Sequence, residues 1–167
     1  MDDAPRHKRR WFQYGLLALP LLLAIPGIWL GVKMEHAGRQ KAVIEVIENL
    51  GGVVWYDYQF DKYDIPNSKY AEPPGPPWLR RYLGDDFFIT VTKLDLTQTE
   101  IGNAELQQIE CLTDLQSLSL GDMVGDAGLA HLSGLSKLQW LDLRKTQCTA
   151  TGIAGLQKVL PSCKVQR

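Results

Sequence analysis

The sequence predicts an α/β fold in which parallel strands and helical return paths form a short solenoid behind one N-terminal apolar helix. Two observations predict this fold class. Residues 11–32 carry no charged side chain, and a six-residue apolar pattern recurs at intervals of 24 and 23 residues in the second half of the 167-residue chain. Strands alternate with a period of two and α-helices with a period of 3.6. A recurring unit that mixes rhythms is therefore typical of a solenoid.

A basic tail, residues 1–10, precedes the uncharged run WFQYGLLALPLLLAIPGIWLGV at 11–32. About 20 mostly apolar residues are enough for a helix to cross the hydrocarbon core of a bilayer, so the run predicts a single transmembrane helix. Basic residues are denser before the run than after it, which predicts a cytoplasmic N-terminus and an extracytoplasmic repeat domain. A cleaved signal peptide is the alternative, and it places the domain on the same side.

Residues 33–90 are expected to link this helix to the repeats and to cap them. A helix is predicted from Lys33 to about Asn49, because Gly51-Gly52 suits a helix C-terminus. A strand is predicted at 53–60. Apolar residues across this segment are spaced by three, three, three and two, which predicts a degenerate first repeat: Ile47, Leu50, Val53, Tyr56 and Tyr58.

The rest of this segment predicts a loop and a short helix. Residues 61–77, DKYDIPNSKYAEPPGPP, are polar and rich in proline, which is typical of an exposed loop. The following PPWLRRYLGDDFF predicts a helix that begins at Pro76 or Pro77 and ends near Gly84. Four of its apolar residues are expected to cover the open end of the core: Trp78, Leu79, Tyr82 and Leu83.

Residues 91–160 contain the repeats. VTKLDL at 91–96, LQSLSL at 115–120 and LQWLDL at 138–143 align. In GLAHLSGLSKLQWLDL, at 128–143, leucines first recur every three residues, which fits a 3₁₀ return path, and then every two, which fits a strand. Asn103 and Asp126 precede equivalent helices and are predicted N-caps, with Thr149 in the third copy. Residues 161–167 are expected to close the last turn through Cys163 and Val165.

These features resemble a bacterial leucine-rich-repeat membrane protein with a single N-terminal anchor. The segments that carry the resemblance are RRWFQY, GDDFF, the three L-x-x-L-x-L units, GDAGLAHL and LPSCKV. The resemblance implies a ladder of hydrogen bonds from side chains five residues after the first leucine of each L-x-L. Those positions hold Thr99, Met123 and Thr146. Methionine cannot donate, so the ladder is expected to break at the second unit.

The concave strand face is the candidate binding site, because residues beside the buried leucines point outward from such a sheet. Trp140 is the principal candidate, since an exposed tryptophan near Arg144 has the composition of a binding hot spot. Asp142 is expected to contribute with them. The outward positions form three columns: Lys93, Ser117 and Trp140; Asp95, Ser119 and Asp142; Thr97, Gly121 and Arg144.

The sequence predicts no enzymatic activity, cofactor or metal. Nucleophile, phosphate-loop and zinc motifs are missing. Asp95 and Asp142 are expected about 9–10 Å apart, near the upper limit for an inverting glycosidase, but an open face lacks the cleft that raises a carboxyl pKa. The odd number and long spacings of Cys111, Cys148 and Cys163 imply neither a disulfide framework nor a metal site.

The partner class follows from charge and composition. Residues 33–167 hold 14 Lys and Arg against 17 Asp and Glu, so a net charge of −3 without a basic stripe disfavours nucleic acid. We therefore expect a non-catalytic interaction module that binds an unknown protein or peptide. A structural envelope or scaffold protein that self-associates is the alternative.

Overall fold

The computed structural model describes residues 7–60 and 72–167, with side chains from residue 24 onward. Two compact units divide the chain, residues 1–36 and residues 37–167. Helix α1 (His7–Asn49) is the only secondary-structure element of the first unit within the described residues. Residues 1–6 of the predicted basic tail and 61–71 of the predicted loop lie outside the described residues.

The described part of the chain contains no helix long and apolar enough to cross a membrane. The side chains of residues 11–23, in the first half of the predicted span, lie outside what the structure describes.

One five-stranded sheet organises the second unit and confirms the α/β class. Its strands are adjacent in chain order, and the pairs from β2 to β5 are parallel. The pair β1–β2 is antiparallel. The strands are β1 (Val53–Tyr56), β2 (Val91–Asp95), β3 (Ser117–Ser119), β4 (Trp140–Asp142) and β5 (Lys164–Gln166).

Short helices connect the strands. The return path between β3 and β4 contains a 3₁₀ helix, as the spacing of three predicts, and Leu129, Leu132, Leu135 and Leu138 are all buried. A second 3₁₀ helix covers Asp57–Gln59 and a third Asp85–Phe87. The remaining helices are α2 (Pro77–Leu83), α3 (Leu106–Ile109), α4 (Asp126–Leu129) and α5 (Ala150–Val159), and the 3₁₀ helix after α4 covers Ala130–Gly134.

The predicted leucines form the core. Leu94, Leu118 and Leu141 are register partners on neighbouring strands, and all three are buried. Leu96, Leu120 and Leu143 are buried directly after the strands. Because each leucine packs on its equivalent in the next unit, one continuous core results.

Threonines at two of the three expected ladder positions make side-chain hydrogen bonds to the backbone of the same repeat. The Thr99 hydroxyl donates to the Leu96 carbonyl at 2.9 Å and accepts from the Ile101 amide. Thr146 makes the equivalent pair of bonds with Leu143 and Cys148. Met123, at the equivalent position of the second repeat, is exposed.

The N-cap prediction for Asn103 and Asp126 is wrong, because both side chains reach across to the next unit. The Asn103 Oδ1 atom accepts from the Gly125 amide at 2.9 Å, and Asp126 accepts from the amide and the hydroxyl of Thr149. These contacts join neighbouring units, which a cap on the residue's own helix does not. Thr149 does cap α5, since its hydroxyl accepts from the Gly152 amide.

The prediction of a degenerate first repeat at 46–60 is also wrong. β1 runs antiparallel to β2, whereas a repeat strand runs parallel to its neighbour. Leu50 and Val53 are exposed, while Val54 and Tyr56 pack against the core. The strand ends at Tyr56 because a 3₁₀ helix follows, and Tyr58 stacks on Tyr56 at a ring distance of 5.9 Å.

The cap differs from the prediction in the elements that close the core. Helix α1 closes it with Val43, Ile44 and Ile47, all buried. Leu79 and Leu83 of α2 are half-buried, but Trp78 and Tyr82 are exposed rather than covering the core.

The C-terminal segment forms a fifth strand that the sequence interpretation missed. The Lys164 amide donates to the Gln139 carbonyl, and the Leu143 amide donates to the Gln166 carbonyl. Cys163 is buried and Val165 packs against the core, as expected of a closing segment. The spacing of Leu160, Cys163 and Val165 is three then two, so the rhythm of the repeats was present but very short.

Candidate functional site: the strand face

The outward face of the sheet carries the predicted columns as two continuous rows. Lys93 is the register partner of Ser117, and Ser117 is the partner of Trp140. Asp95, Ser119 and Asp142 are aligned in the same way. The short strands fix this arrangement, because the alternate residues on each strand are leucines held in the core.

Each row extends onto the flanking strands β1 and β5, beyond the columns taken from the repeats. Trp55 is the register partner of Lys93, and Lys164 is the partner of Trp140. We call Trp55, Lys93, Ser117, Trp140 and Lys164 the tryptophan row. Its two indoles belong to strands three steps apart, or about 14 Å at 4.8 Å per step.

The second row also gains a residue at each end. Val53 is the register partner of Asp95, and Gln166 is the partner of Asp142. We call Val53, Asp95, Ser119, Asp142 and Gln166 the carboxylate row. The alternation Val54-Trp55-Tyr56 was the sequence signal for Trp55, since the two flanking residues pack on the core. The direction of β1 was needed to align it.

Asp142 is not a freely exposed carboxylate, which corrects the prediction for this residue. Only 9% of it is exposed. Arg144 contacts both of its oxygens, with the Nη2 atom 2.6 Å from Oδ2 and the Nε atom 3.0 Å from Oδ1. These hydrogen bonds lower the pKa of Asp142 below its ordinary value. A carboxylate stabilised as an anion is the opposite of a general acid, which needs a raised pKa.

Asp95 has an equivalent partner two residues later. Its Oδ1 atom accepts from the amide and the hydroxyl of Thr97 at 2.9 and 2.7 Å. Both carboxylates thus fix the turn that leaves their strand. Gly121, the middle member of the predicted third column, is buried where a Cβ atom would lie 2.9 Å from the Leu96 carbonyl oxygen. It therefore offers no side chain to the face.

Two shallow depressions flank the rows. One of about 400 Å³ lies at the carboxyl ends of the strands, between Asp95, Asp142 and Arg144. The other, of about 600 Å³, borders Trp140 and is otherwise lined mainly by polar and cationic groups. Its lining residues are Gln116, Ser136, Lys137, Leu138, Gln139, Trp140, Ser162 and Lys164.

Trp140 and Lys93 differ in how far their side chains are available to contact a partner. Trp140 is 43% exposed and sits between Ser117 and Lys164 on a fixed backbone. The Lys93 ammonium lies 3.9 Å from the centre of the Phe60 ring, a cation–π contact within the molecule. The accessible part of the tryptophan row is therefore centred on β4, away from β1.

Within the described residues, no cluster of three or more His, Cys, Asp or Glu side chains is arranged to hold a metal ion. Cys148 and Cys163 are buried and Cys111 is half-buried, each as a free thiol. Burial raises the pKa of all three thiols. This direction disfavours the reactive thiolate.

The chain matches no protein-family model and no curated protein. Its function is therefore inferred from the geometry of the strand face and from the sequence.

Proposed function

We propose that this chain is a membrane-anchored leucine-rich-repeat protein whose strand face binds an extracytoplasmic protein or peptide without catalysing a reaction. Support for the solenoid comes from the spacing of 23 or 24 residues between register partners on β2, β3 and β4. The Thr99 and Thr146 hydroxyls add equivalent bonds in two units. A stack of such units presents its strands as one extended binding surface.

Exposure of Trp140 is the observation that carries the binding proposal. Burying a tryptophan against a partner removes a large apolar area from water, and the rigid ring loses little entropy on binding. Polar groups surround it, as they surround the anchor residues of many interfaces. Arg144 is the second contact, because Asp142 fixes its guanidinium while much of the side chain stays exposed.

The remaining columns give the partner its polar environment. The short side chains of Ser117 and Ser119 make the middle of the face concave. A side chain of the partner can therefore reach the backbone between Trp140 and Lys93. Asp95 and Thr97 bond to each other and provide a fixed polar edge. An extended peptide or a protein loop fits this face better than a compact small molecule, because both depressions are shallow and open.

Partner capture tests the binding proposal. The full chain with a photo-crosslinker at Ser117 is expressed in intact membranes, and crosslinked proteins are identified by mass spectrometry. We expect Trp140→Ala to abolish a specific crosslink and Arg144→Ala to weaken it. Val159→Ala is the matched control, since Val159 is a similarly exposed apolar residue on α5. Crosslinks that survive both face variants unchanged would contradict the proposal.

The membrane anchor is proposed from the sequence of residues 11–32, and its topology from the basic tail. A reporter enzyme that is active only outside the cytoplasm, fused after Arg167, tests the side on which the domain lies. Activity of the fusion supports the extracytoplasmic location. A size shift of the N-terminally tagged chain during maturation would instead favour a cleaved signal peptide.

Self-association is the second candidate function, and the edge of β5 favours it. Among the described strands β5 pairs only with β4, so one edge of the sheet is open. The amide of Lys164 points to β4, so the amide of Val165 points to the open edge. Val165→Pro would remove that outward donor while leaving the bonds to β4. Homo-oligomers that disappear in Val165→Pro but persist in Trp140→Ala would favour the scaffold function.

A further inference from the structure

Helix α2 presents an aromatic patch that neither the core nor the strand face uses. Trp78 is 64% exposed and Tyr82 80% exposed, and Arg81 is exposed beside them. Residues at i, i+3 and i+4 lie on one face of a helix. We call Trp78, Arg81 and Tyr82 the α2 patch.

Specific contacts hold the α2 patch in one place. The Arg80 Nε atom lies 2.6 Å from the Asp85 carboxylate, and its Nη1 atom donates to the Pro73 carbonyl at 3.2 Å. Through Arg80, these bonds tie the helix to the chain segments before and after it. The exposed aromatic rings therefore project from a defined position.

The segment that follows α2 contacts residues 40 and 41 of helix α1, near the start of the compact unit of residues 37–167. The Lys41 ammonium lies 3.4 Å from the Asp86 carboxylate. The Gln40 amide group donates to the Ile89 carbonyl at 3.3 Å. Residues 85–89, which follow α2 directly, are therefore bound to residues 40–41 of α1.

Residues 40–41 are close along the chain to the predicted membrane span. The uncharged run ends at Val32, nine residues before Lys41. Nine residues of helix cover about 14 Å. Headgroup layers extend about 5–7 Å beyond the hydrocarbon core on each side of a bilayer. A helical tether of that length holds residues 40–41, which contact the segment after α2, no more than about 7–9 Å beyond the headgroup layer.

We propose that the α2 patch is a second membrane contact, in which Trp78 and Tyr82 insert into the lipid headgroup layer and Arg81 binds lipid phosphate. Tryptophan and tyrosine favour the interface because their rings are apolar and their N–H and O–H groups are polar. Arginine matches the geometry of phosphate oxygens. This inference rests on the membrane anchor of the proposed function.

Tryptophan fluorescence in lipid vesicles tests the contact. The full chain is reconstituted into vesicles of phosphatidylcholine, with or without brominated chains close to the headgroup, and flotation first shows whether it is anchored. The emission of one residue is obtained as the difference between the starting protein and its Trp78→Phe or Trp140→Phe variant. Both are exposed tryptophans, and phenylalanine keeps an aromatic ring, so neither change is expected to disturb the fold.

We expect brominated lipid to quench the Trp78 emission and to leave the Trp140 emission unchanged. Aqueous iodide gives the converse test. Trp78 is the more exposed of the two in the protein alone, so stronger quenching of Trp140 by iodide in vesicles would show that lipid covers Trp78. An anchored chain whose Trp78 responds to iodide and not to brominated lipid would overturn this inference alone. Failure of the chain to float would overturn the anchor and this inference together.

Discussion

The repeat region, residues 91–160, and the cap region, residues 37–90, contribute to one core by different means. In the repeat region each unit uses the same contacts, with Leu118 between Leu94 and Leu141 on neighbouring strands. In the cap region a helix contributes Ile47 and an antiparallel strand contributes Tyr56, and neither contact has a second copy. A repeated contact is supported from both sides, whereas a cap contact is supported from one.

This difference predicts how each region fails. For the proposed solenoid, stability is approximately a sum of terms for each repeat and for each contact between neighbouring repeats. A defect at the centre removes two interfaces, while a defect at the end leaves the others intact. The cap region should therefore open locally before the repeat region unfolds.

Truncation of a central leucine should have the largest effect. Leu118→Ala creates a cavity at a fully buried position, so we expect the free energy of unfolding to fall by about 2–5 kcal/mol. Ile47→Ala creates a comparable cavity in the cap. Urea titration of the full chain in detergent, followed by circular dichroism, measures the change, with Val159→Ala as the exposed control.

Amide hydrogen exchange separates the two regions. Ile47→Ala should accelerate exchange in β1 and β2 and leave β4 protected, because only the end of the stack opens. Leu118→Ala should accelerate exchange in all strands. Equal acceleration of β4 in both variants would mean that cap and repeats unfold as a single unit.

A change in the contact between Asp126 and the next repeat should have an intermediate effect on the free energy of unfolding. A Cβ atom on Gly152 would collide with the Asp126 carboxylate, so Gly152→Ala should lower the free energy of unfolding by about 1–3 kcal/mol. Gly155→Ala is the matched control in the same helix, where a Cβ atom meets nothing within 4 Å. It should stabilise the protein by about 0.5–1 kcal/mol.

A double-mutant cycle shows whether the collision has this cause. Asp126→Ala removes the carboxylate together with its two bonds to Thr149. The Gly152→Ala, Asp126→Ala double variant should lose less free energy of unfolding than the sum of the two single-variant losses, because the collision has been removed. If the losses of unfolding free energy were additive, the collision with Asp126 would not be the cause of the Gly152→Ala effect.

Substitution in the carboxylate row should have the smallest effect on the free energy of unfolding, and that effect should depend on pH. Because Arg144 lowers the pKa of Asp142 in the folded protein, the ionised pair stabilises the fold above the ordinary carboxyl pKa of 3.8. The contribution is lost as the pH falls through the lowered pKa. Since much of the Arg144 side chain is exposed, water screens the pair and we expect its contribution to the free energy of unfolding to be small.

Asp142→Asn provides the measurement. The difference in unfolding free energy between the starting protein and this variant should be constant near neutral pH and should shrink as the solution is acidified below 3.8. The equivalent Asp95→Asn difference serves as a comparison without a guanidinium partner. A difference for Asp142→Asn that stays constant down to pH 2 would contradict the pairing.

The repeat region was predictable because each copy constrains the others. The places of Leu94, Leu118 and Leu141 follow from alignment of three segments, and so does the register of Ser117 with Trp140. In the cap region, the spacing of Ile47, Leu50 and Val53 occurs once. It fits a helix followed by a strand in either direction, and the direction depends on how the chain between β1 and β2 is placed.

The site was predictable in its positions but less so in its chemistry. Alternation along β4 placed Trp140 and Asp142 on the outward face, but it could not show that Arg144 turns back onto Asp142. Asn103 and Asp126 had the composition of N-caps, and only the stacking distance between units decides that their side chains reach the next unit instead. Interactions between copies are thus harder to predict than the copies themselves.

The contacts that Asn103 and Asp126 make with the following repeat also determine how further repeats could be added to such a chain. Each unit offers an acceptor to its successor and a glycine, Gly128 or Gly152, that leaves room for its predecessor's side chain. Duplication of the segment from Gly102 to Val124 would therefore insert a compatible module. The unit that begins at Thr149 carries Ala150 at the acceptor position, so a module added behind it would find no matching partner.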